Sequence, residues 1–263
     1  MRFLITLSLI CFCVFSCKQS TQTDSASAAS AKITLPANVS KVLDAHGGYD
    51  KWKEMKAMIY TIKNDDDDDD GGEKQTIDLE DRREKVEGKD YAMGFDGSQY
   101  WVDADTSFKK NPVFYTNLMM YFYAMPFVIS DAGISYTDVS PFQFEDNKYP
   151  GFKVSYDTGI GVSPEDEYYI YYNPETYQME WLAYTVTYFS KEKSAKLGWI
   201  RYDDWMEMQG LKIPSSMAWY KVEDNKPVSE RNRRQFETVT LSKTKMTDDT
   251  FAAAAGARIV ENK

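Results

Sequence analysis

Histidine and cysteine are nearly absent from this 263-residue chain: the one histidine is His46, and the three cysteines are Cys11, Cys13 and Cys17. A catalytic triad or a His-based metal centre would have to be built around a single imidazole. His46 falls where a first helix should end, a place where a histidine interacts well with the helix dipole, and is read as structural or solvent-facing. Basic charge is also short, with 31 Lys and Arg against 41 Asp and Glu and a formal net charge of −10. Phosphate binding needs a basic patch, so this balance argues against a nucleic-acid partner. No nucleophile elbow, phosphate-binding glycine loop or zinc motif occurs. Paired acids such as Glu165 with Glu167 and Asp203 with Asp204 are expected by chance among 41 acids, and a glycosidase pair is defined by distance in space. These absences predict a protein without catalysis, cofactor or metal centre.

Aromatic residues are plentiful instead. The 19 Tyr, 14 Phe and 6 Trp make up 15% of the chain, a composition that favours strands. With 43% hydrophobic and 27% charged residues, 14 Gly and 9 Pro, the chain is globular rather than disordered, collagen-like or multi-span.

Residues 1–16 read as a secretion signal. Arg2 supplies the positive start, and Phe3 to Phe15 are apolar apart from Thr6 and Ser8. That run falls short of the ~20 apolar residues that span a bilayer. Val14-Phe15-Ser16-Cys17 resembles the lipobox of bacterial lipoproteins, in which the cysteine thiol is acylated, with palmitate for example, and the signal is cut just before it. The other reading is an ordinary signal peptide cut near Ala26 to Ala31. With Cys11 and Cys13 removed and Cys17 lipidated, no thiol remains for a disulfide or a zinc site. The 31 basic residues less Arg2, against 41 acids, leave −11, so the charge gives no help toward anionic lipid and the anchor must hold the protein. Residues 17–35, rich in Ser, Thr, Ala and Gln, form a tether with a reach of ~20–25 Å. Lys18 after the cysteine resembles the Gram-negative signal for outer-membrane delivery. The first acid is Asp24, which favours the periplasmic face over the cell surface.

Residues 36–263 read as one β-rich domain. Asn38 or Ser40 can cap a helix with Val39, Val42, Leu43 and His46 at helical spacing, and Gly47-Gly48 would end it in a left-handed cap. A second short helix starts at Asp50 and contains Trp52, Met55 and Met58. Strands follow at Ile59 to Lys63, Gln75 to Glu80, Gln99 to Asp103, Phe152 to Tyr156, Tyr168 to Tyr172, Trp181 to Phe189, Trp199 to Met206, Ser215 to Val222 and Phe236 to Leu241. Turn chemistry marks Phe95-Asp96-Gly97-Ser98, Asn173-Pro174-Glu175-Thr176 and Gln209-Gly210. Strand–turn–strand spacing without intervening helices predicts an antiparallel meander, a barrel or a strongly curved sheet. Large side chains on both faces of Trp181 to Phe189 and Ser215 to Val222 predict cover on both sides of the sheet. They leave open whether the concave face is a filled core or a greasy pocket.

Pro112 to Ile129 breaks the β pattern. Apart from Thr116 and Asn117, nothing between Val113 and Ile129 is plainly polar, so this helical segment is either core or a lid over an apolar cavity. Asp65 to Asp70 is a run of acids without the spacing of a calcium loop; it reads as a solvated loop, with loose Ca²⁺ binding as the alternative.

Several stretches together resemble a family of uncharacterised outer-membrane lipoproteins. They are Leu43-Asp44-Ala45-His46-Gly47-Gly48-Tyr49-Asp50-Lys51-Trp52, Met93-Gly94-Phe95-Asp96-Gly97 before Trp101, and Tyr169 to Thr176 before Trp181 to Tyr188. Gly210-Leu211-Lys212-Ile213-Pro214 and Asp248-Asp249-Thr250-Phe251 fit as well. The resemblance implies a fold similar to the lipoprotein carriers LolA and LolB: a half-open antiparallel barrel whose apolar concave face is covered by helices and accepts acyl chains. It carries over no catalytic residue. The expectation is a lipid or other hydrophobic ligand held by Leu118, Met119, Phe122, Met125 and Phe127 of the lid and by Leu182, Tyr184 and Val186 of the sheet, with Cys17 as the membrane anchor. A tethered module that grips a protein or glycan through exposed aromatics is the alternative.

Overall fold

The structure, a computed structural model, describes residues 35–64, 72–103, 108–157 and 163–261. Leu35–Lys263 forms one compact unit with its own core. Cys17, most of the tether and the Asp65 to Asp70 run lie outside the described residues.

Helix α1 (Ala37–Ala45) buries Val39, Val42 and Leu43. It starts directly behind Pro36, and no side chain caps it. The expected caps are engaged otherwise or too late: Asn38 accepts from the Val39 amide and donates to Asp138, and the Ser40 amide already donates into the helix, to the Pro36 carbonyl. The C-terminus is the left-handed glycine cap that the sequence predicts. Gly47 and Gly48 sit at φ 107° and 93°, with Gly48 N–H donating to Leu43 O (2.9 Å) and Gly47 N–H to Asp44 O (3.1 Å). A Cβ on Gly47 would also collide with the Gly210 carbonyl, so this cap is packed against the sheet. Helix α2 (Tyr49–Glu54) then buries Trp52, which stacks on Phe127 at 4.5 Å.

Five strands follow: β1 (Ala57–Asn64), β2 (Glu73–Asp78), β3 (Glu84–Gly88), β4 (Tyr91–Phe95) and β5 (Tyr100–Val102). Three short helices come next: α3 (Pro112–Tyr115), α4 (Leu118–Tyr123) and α5 (Met125–Val128). The rest is β6 (Ile134–Phe144), β7 (Asn147–Tyr156), β8 (Glu167–Tyr172), β9 (Met179–Tyr184), β10 (Gly198–Met208), β11 (Leu211–Glu223), β12 (Lys226–Ser242) and β13 (Arg258–Val260). All pair antiparallel in one 13-stranded sheet of order β13-β5-β4-β3-β2-β1-β12-β11-β10-β9-β8-β7-β6. The sheet is open and strongly curved: Phe95 and Tyr100 near one edge and Tyr156 and Tyr168 near the other line the same cavity. The hairpin turns Gln209-Gly210 and Asp224-Asn225 have positive φ at both residues, the type I′ geometry that matches strand twist.

Each predicted strand lies on an observed one, with one boundary corrected. Trp181 to Phe189 stops being a strand at Tyr184. Beyond it the Asp166 carboxylate takes the Thr187 amide (2.6 Å) and hydroxyl (2.7 Å), so the backbone leaves the ladder. Pro112 to Ile129 is also broken, into α3, α4 and α5. Asn117 adopts a left-handed conformation at φ 60°, and Pro126 has no N–H to give to the Phe122 carbonyl. That carbonyl is taken by the buried Tyr202 hydroxyl at 2.7 Å.

Both faces of the sheet are covered. The concave side carries the main core, with α1, α2 and the α3–α5 segment laid on it. On the convex side Trp181, Trp199 and Tyr171 meet Phe142 of β6 at 5.6, 4.4 and 5.3 Å. β6 pairs only with β7, so the tip of the β6–β7 hairpin must fold back over β8, β9 and β10; a register shift between Val139 and Phe142 marks the bend. Phe142→Ala should cost about 3 kcal/mol, read from denaturant midpoints. Amide exchange should quicken at the Gln143 to Lys148 tip while concave strands keep their protection. Uniform loss of protection would refute the separate hairpin cap.

Two buried titratable groups set opposite pH dependences. His46 is fully buried, and its Nδ1–H donates to the Val42 carbonyl (2.8 Å), leaving Nε2 to accept from the Met179 amide (3.4 Å). Burial lowers its pKa to about 4, so the imidazole is neutral, and its role is this pair of bonds rather than a charge on the helix dipole. Burial pushes Glu84 up to about 8, opposed by the Asn117 N–H that donates to its Oε2 and assisted by the nearby Glu73. The His46 contribution is full above 6.5 and lost as pH falls to about 4; that of Glu84 is full below 4.5 and lost as pH rises to about 8. The two oppose each other between 4.5 and 6.5, and Glu84 then lowers stability by about 2 kcal/mol between 6.5 and 8. Glu84→Gln should remove that alkaline decline and leave a rise from pH 4 to 6.5 in urea midpoints. A decline that survives the substitution would refute the assignment to Glu84.

Candidate functional site

The α3–α5 segment joins β5 to β6 across the open side of the curved sheet. Asn111 caps α3 by accepting from the Phe114 amide (3.1 Å), with Pro112 in the first turn where its missing N–H costs nothing. The left-handed Asn117 that separates α3 from α4 is pinned on both sides: its amide donates to Glu84, and its Nδ2 donates to the Arg82 carbonyl at 2.8 Å. Met119, Met120, Tyr123, Met125, Phe127, Val128 and Ile129 are at most 2% exposed, so most of the segment is core.

Two cavities flank what remains. The first, about 220 Å³, lies between Phe95 and Tyr100 on one arm of the sheet and Tyr156 and Tyr168 on the other. Arg82 reaches it, already paired with Asp131 at 2.6 Å. Asp166 at its edge is raised by burial while its bonds to Thr187 pull the other way. The second cavity, about 250 Å³, is a groove floored by Tyr184, Trp219 and Arg234 and roofed by Tyr115 and Met119. Phe114, Leu118 and Phe122, spaced four residues apart, line both cavities. Phe122 packs at 4.8 Å on Tyr184 and edge-on at 6.1 Å to Trp219. Tyr184 can lean there because its neighbour on β10 is Gly198: a Cβ at that position would come within 2.6 Å of the tyrosine ring.

Of the eight residues predicted to bind ligand, Leu118 and Phe122 line both cavities, and Met119, Tyr184 and Val186 line the groove. Met125, Phe127 and Leu182 belong to the core, at 1%, 0% and 0% exposure. Val186 is 44% exposed at the rim, beside Phe189 at 69%, because the chain has left the strand by that point. Arg234, Lys110, Trp219, Tyr100 and Tyr156 were not foreseen. They sit on strands or segments whose neighbours across the opening only the curvature supplies. Among the described residues no cluster of His, Cys, Asp and Glu could hold a metal ion, and no helix is long and apolar enough to cross a membrane.

Comparison with known proteins places this fold. A LolA superfamily protein from Nitrosomonas europaea superposes with a TM-score of 0.51 at 10% identity, covering 84% of this chain and 98% of its own. The similarity extends more loosely to two other structures. One is an outer membrane lipoprotein-sorting protein domain from Vibrio parahaemolyticus (TM-score 0.44, 7% identity, 77% and 93% covered). The other is a DUF1329 family protein from Desulfovibrio piger (TM-score 0.47, 9% identity, 84% and 98% covered). No curated protein matches the chain in sequence. The half-open, LolA-like sheet expected from the sequence is therefore the fold observed. Residues 83–232, more than half of the chain, run from the arginine before Glu84 through the helical segment into β12, taking in the lining of both cavities except Arg82 and Arg234, and they match the family of unknown function DUF6503, to which this chain belongs.

Proposed function

We propose that this protein is a non-catalytic envelope lipoprotein that binds a lipid or other hydrophobic molecule between the α3–α4 segment and the concave sheet. Cys17 carries the lipid anchor, and the domain hangs from the outer membrane into the periplasm. The observation that carries the ligand reading is the shared wall. Each cavity alone falls short of the roughly 300–1,000 Å³ of a small-molecule site, and the two lie side by side across the Phe114, Leu118 and Phe122 strip. Rotation of the Phe114, Leu118 and Phe122 side chains, with the backbone pinned at Asn117, would join them into one apolar channel, with the exposed Val186 and Phe189 at its mouth. The LolA-like fold shared with the Nitrosomonas europaea protein supports this reading of the concave face.

The alternative, a module that grips a partner through exposed aromatics, draws less support. The convex aromatic cluster is consumed by the β6–β7 tip, and Phe189 is the one aromatic among the exposed large apolar side chains of the described residues.

The test uses the soluble domain from Ala31 onward, since the compact unit begins at Leu35. Native mass spectrometry should show a co-purifying mass that denaturation releases as lipid. Leu118→Asp, at a half-buried position facing both cavities, should abolish this mass while the thermal midpoint stays close to that of the parent. An apo mass that also refuses added fatty acids and phospholipids would eliminate the carrier reading. Loss of fold in step with loss of ligand would make Leu118 a core residue only.

A further inference from the structure

The groove between α4 and the sheet contains positive charge that no carboxylate among the described residues pairs with. Arg234 of β12 lies on its floor with its guanidinium carbon 5.0 Å over the Trp219 ring and Nη1 2.9 Å from the Met119 sulfur. Its Nε is buried without a hydrogen-bond partner. A thioether is a weak acceptor and an aromatic face a partial one, so neither replaces an anion. Lys110 stands at the groove's edge with its ammonium 4.3 Å from the Tyr115 ring. Among the described residues, neither cation has a carboxylate within ion-pair distance, in a chain with 41 acids. The nearest acid that Lys110 feels is Glu73, and both its oxygens already accept the Tyr115 hydroxyl at 2.9 Å. The Arg234 charge also lowers the Lys110 pKa, adding to burial against the pull of Glu73.

Arg234 is half-buried, and its Nε is shut away from water without a partner, which carries a desolvation cost; cations lining an apolar cavity mark a place prepared for a complementary group. The rest of the groove is Phe114, Leu118, Met119, Phe122, Tyr184 and Trp219, suited to a hydrocarbon chain. We infer that the groove takes a single-chain fatty carboxylate, its chain along the Leu118 and Phe122 wall and its head paired with Arg234 and Lys110. Arginine matches a carboxylate through two parallel hydrogen bonds, and a cavity of about 250 Å³, even once opened to its neighbour of about 220 Å³, admits one chain rather than the two of a phospholipid. This inference rests on the hydrophobic-ligand reading above and adds the head-group chemistry to it.

The test compares cis-parinaric acid, a fluorescent fatty carboxylate, with its methyl ester on the same soluble domain. The acid should bind about tenfold or more tightly than the ester, as one desolvated charge-assisted pair implies. Arg234→Gln should erase that preference by weakening the acid while leaving ester binding near the parental value, which also reports an intact groove. Arg234→Lys should keep part of the preference, and Lys110→Gln should reduce it. Equal binding of acid and ester by the parent protein would overturn the carboxylate assignment and leave the hydrophobic pocket standing. Failure of both probes to bind would overturn the pocket itself. A preference that survives Arg234→Gln and Lys110→Gln together would also refute this site.

Discussion

β5 and β6 follow one another in the chain, yet one lies near one edge of the sheet and the other forms the opposite edge. The chain between them must cross the open side of a curved antiparallel sheet whose inner face is apolar. This single topological constraint explains why Val113 to Ile129 is almost without polar side chains in a protein of net charge −10. A crossing segment that faced water on one side would show a polar stripe, as an amphipathic surface helix does. Here the segment has sheet on several sides, and its residues divide into those that fill the core and those that border space.

The division follows from how the segment is broken. A continuous helix would be too straight to follow a curved inner face, and Asn117 and Pro126 cut it into three pieces that can. Each break leaves backbone groups that need partners in a dry interior. The Phe122 carbonyl finds the Tyr202 hydroxyl, and the Asn117 amide finds Glu84. Those two anchors fix the ends of α4, so the strip of Phe114, Leu118 and Phe122 is held against the sheet without filling the space on either side. The cavities are thus what remains when a rigid, short helix spans a wider trough. The buried Glu84 is part of that arrangement, since its cost is accepted at the one place where the segment must turn through a left-handed residue.

The architecture was largely legible because the strands that carry the core are aromatic and β-branched and are separated by Asn, Asp and Gly turns. Asp96 and Asn173 behave as their sequences predict, each accepting backbone amides two and three residues on. β3 and β6 escaped notice for a physical reason: Glu84-Lys85-Val86-Glu87-Gly88 and the stretch around Asp138, Ser140 and Pro141 are charged or polar. They are held as strands by their neighbours rather than by their own propensity. The site was legible only in part. Leu118 and Phe122 could be picked from an apolar run, but nothing local distinguishes them from Met125 and Phe127, which pack into the core and line neither cavity. Arg234 was invisible for a different reason, since it sits in the polar stretch Glu230-Arg231-Asn232-Arg233-Arg234-Gln235 and reads there as ordinary surface charge.

That stretch shows how a strand's alternation decides the fate of a charge. Arg233 and Arg234 are adjacent and chemically identical, and the two-residue period sends them to opposite faces. Arg233 lies opposite Ala218 on the convex side, where Asp203 at 2.7 Å and Glu230 at 2.9 Å neutralise it. Arg234 lies opposite Met217 and enters the concave groove, where it meets the Trp219 face and the Met119 sulfur and, among the described residues, no acid within ion-pair distance. An apolar filling there would stabilise the sheet more than a guanidinium can, because removing a charge from water is repaid only by a well-placed counter-charge. In an acidic protein that pairs Arg82, Arg83, Arg201 and Arg233 with carboxylates, the arginine turned inward without one is best accounted for by an anion that arrives from outside. The same acidic exterior would repel a free carboxylate from most of the surface. On the carboxylate reading proposed above, the cationic groove is then the place where a fatty acid's head and chain are both accommodated.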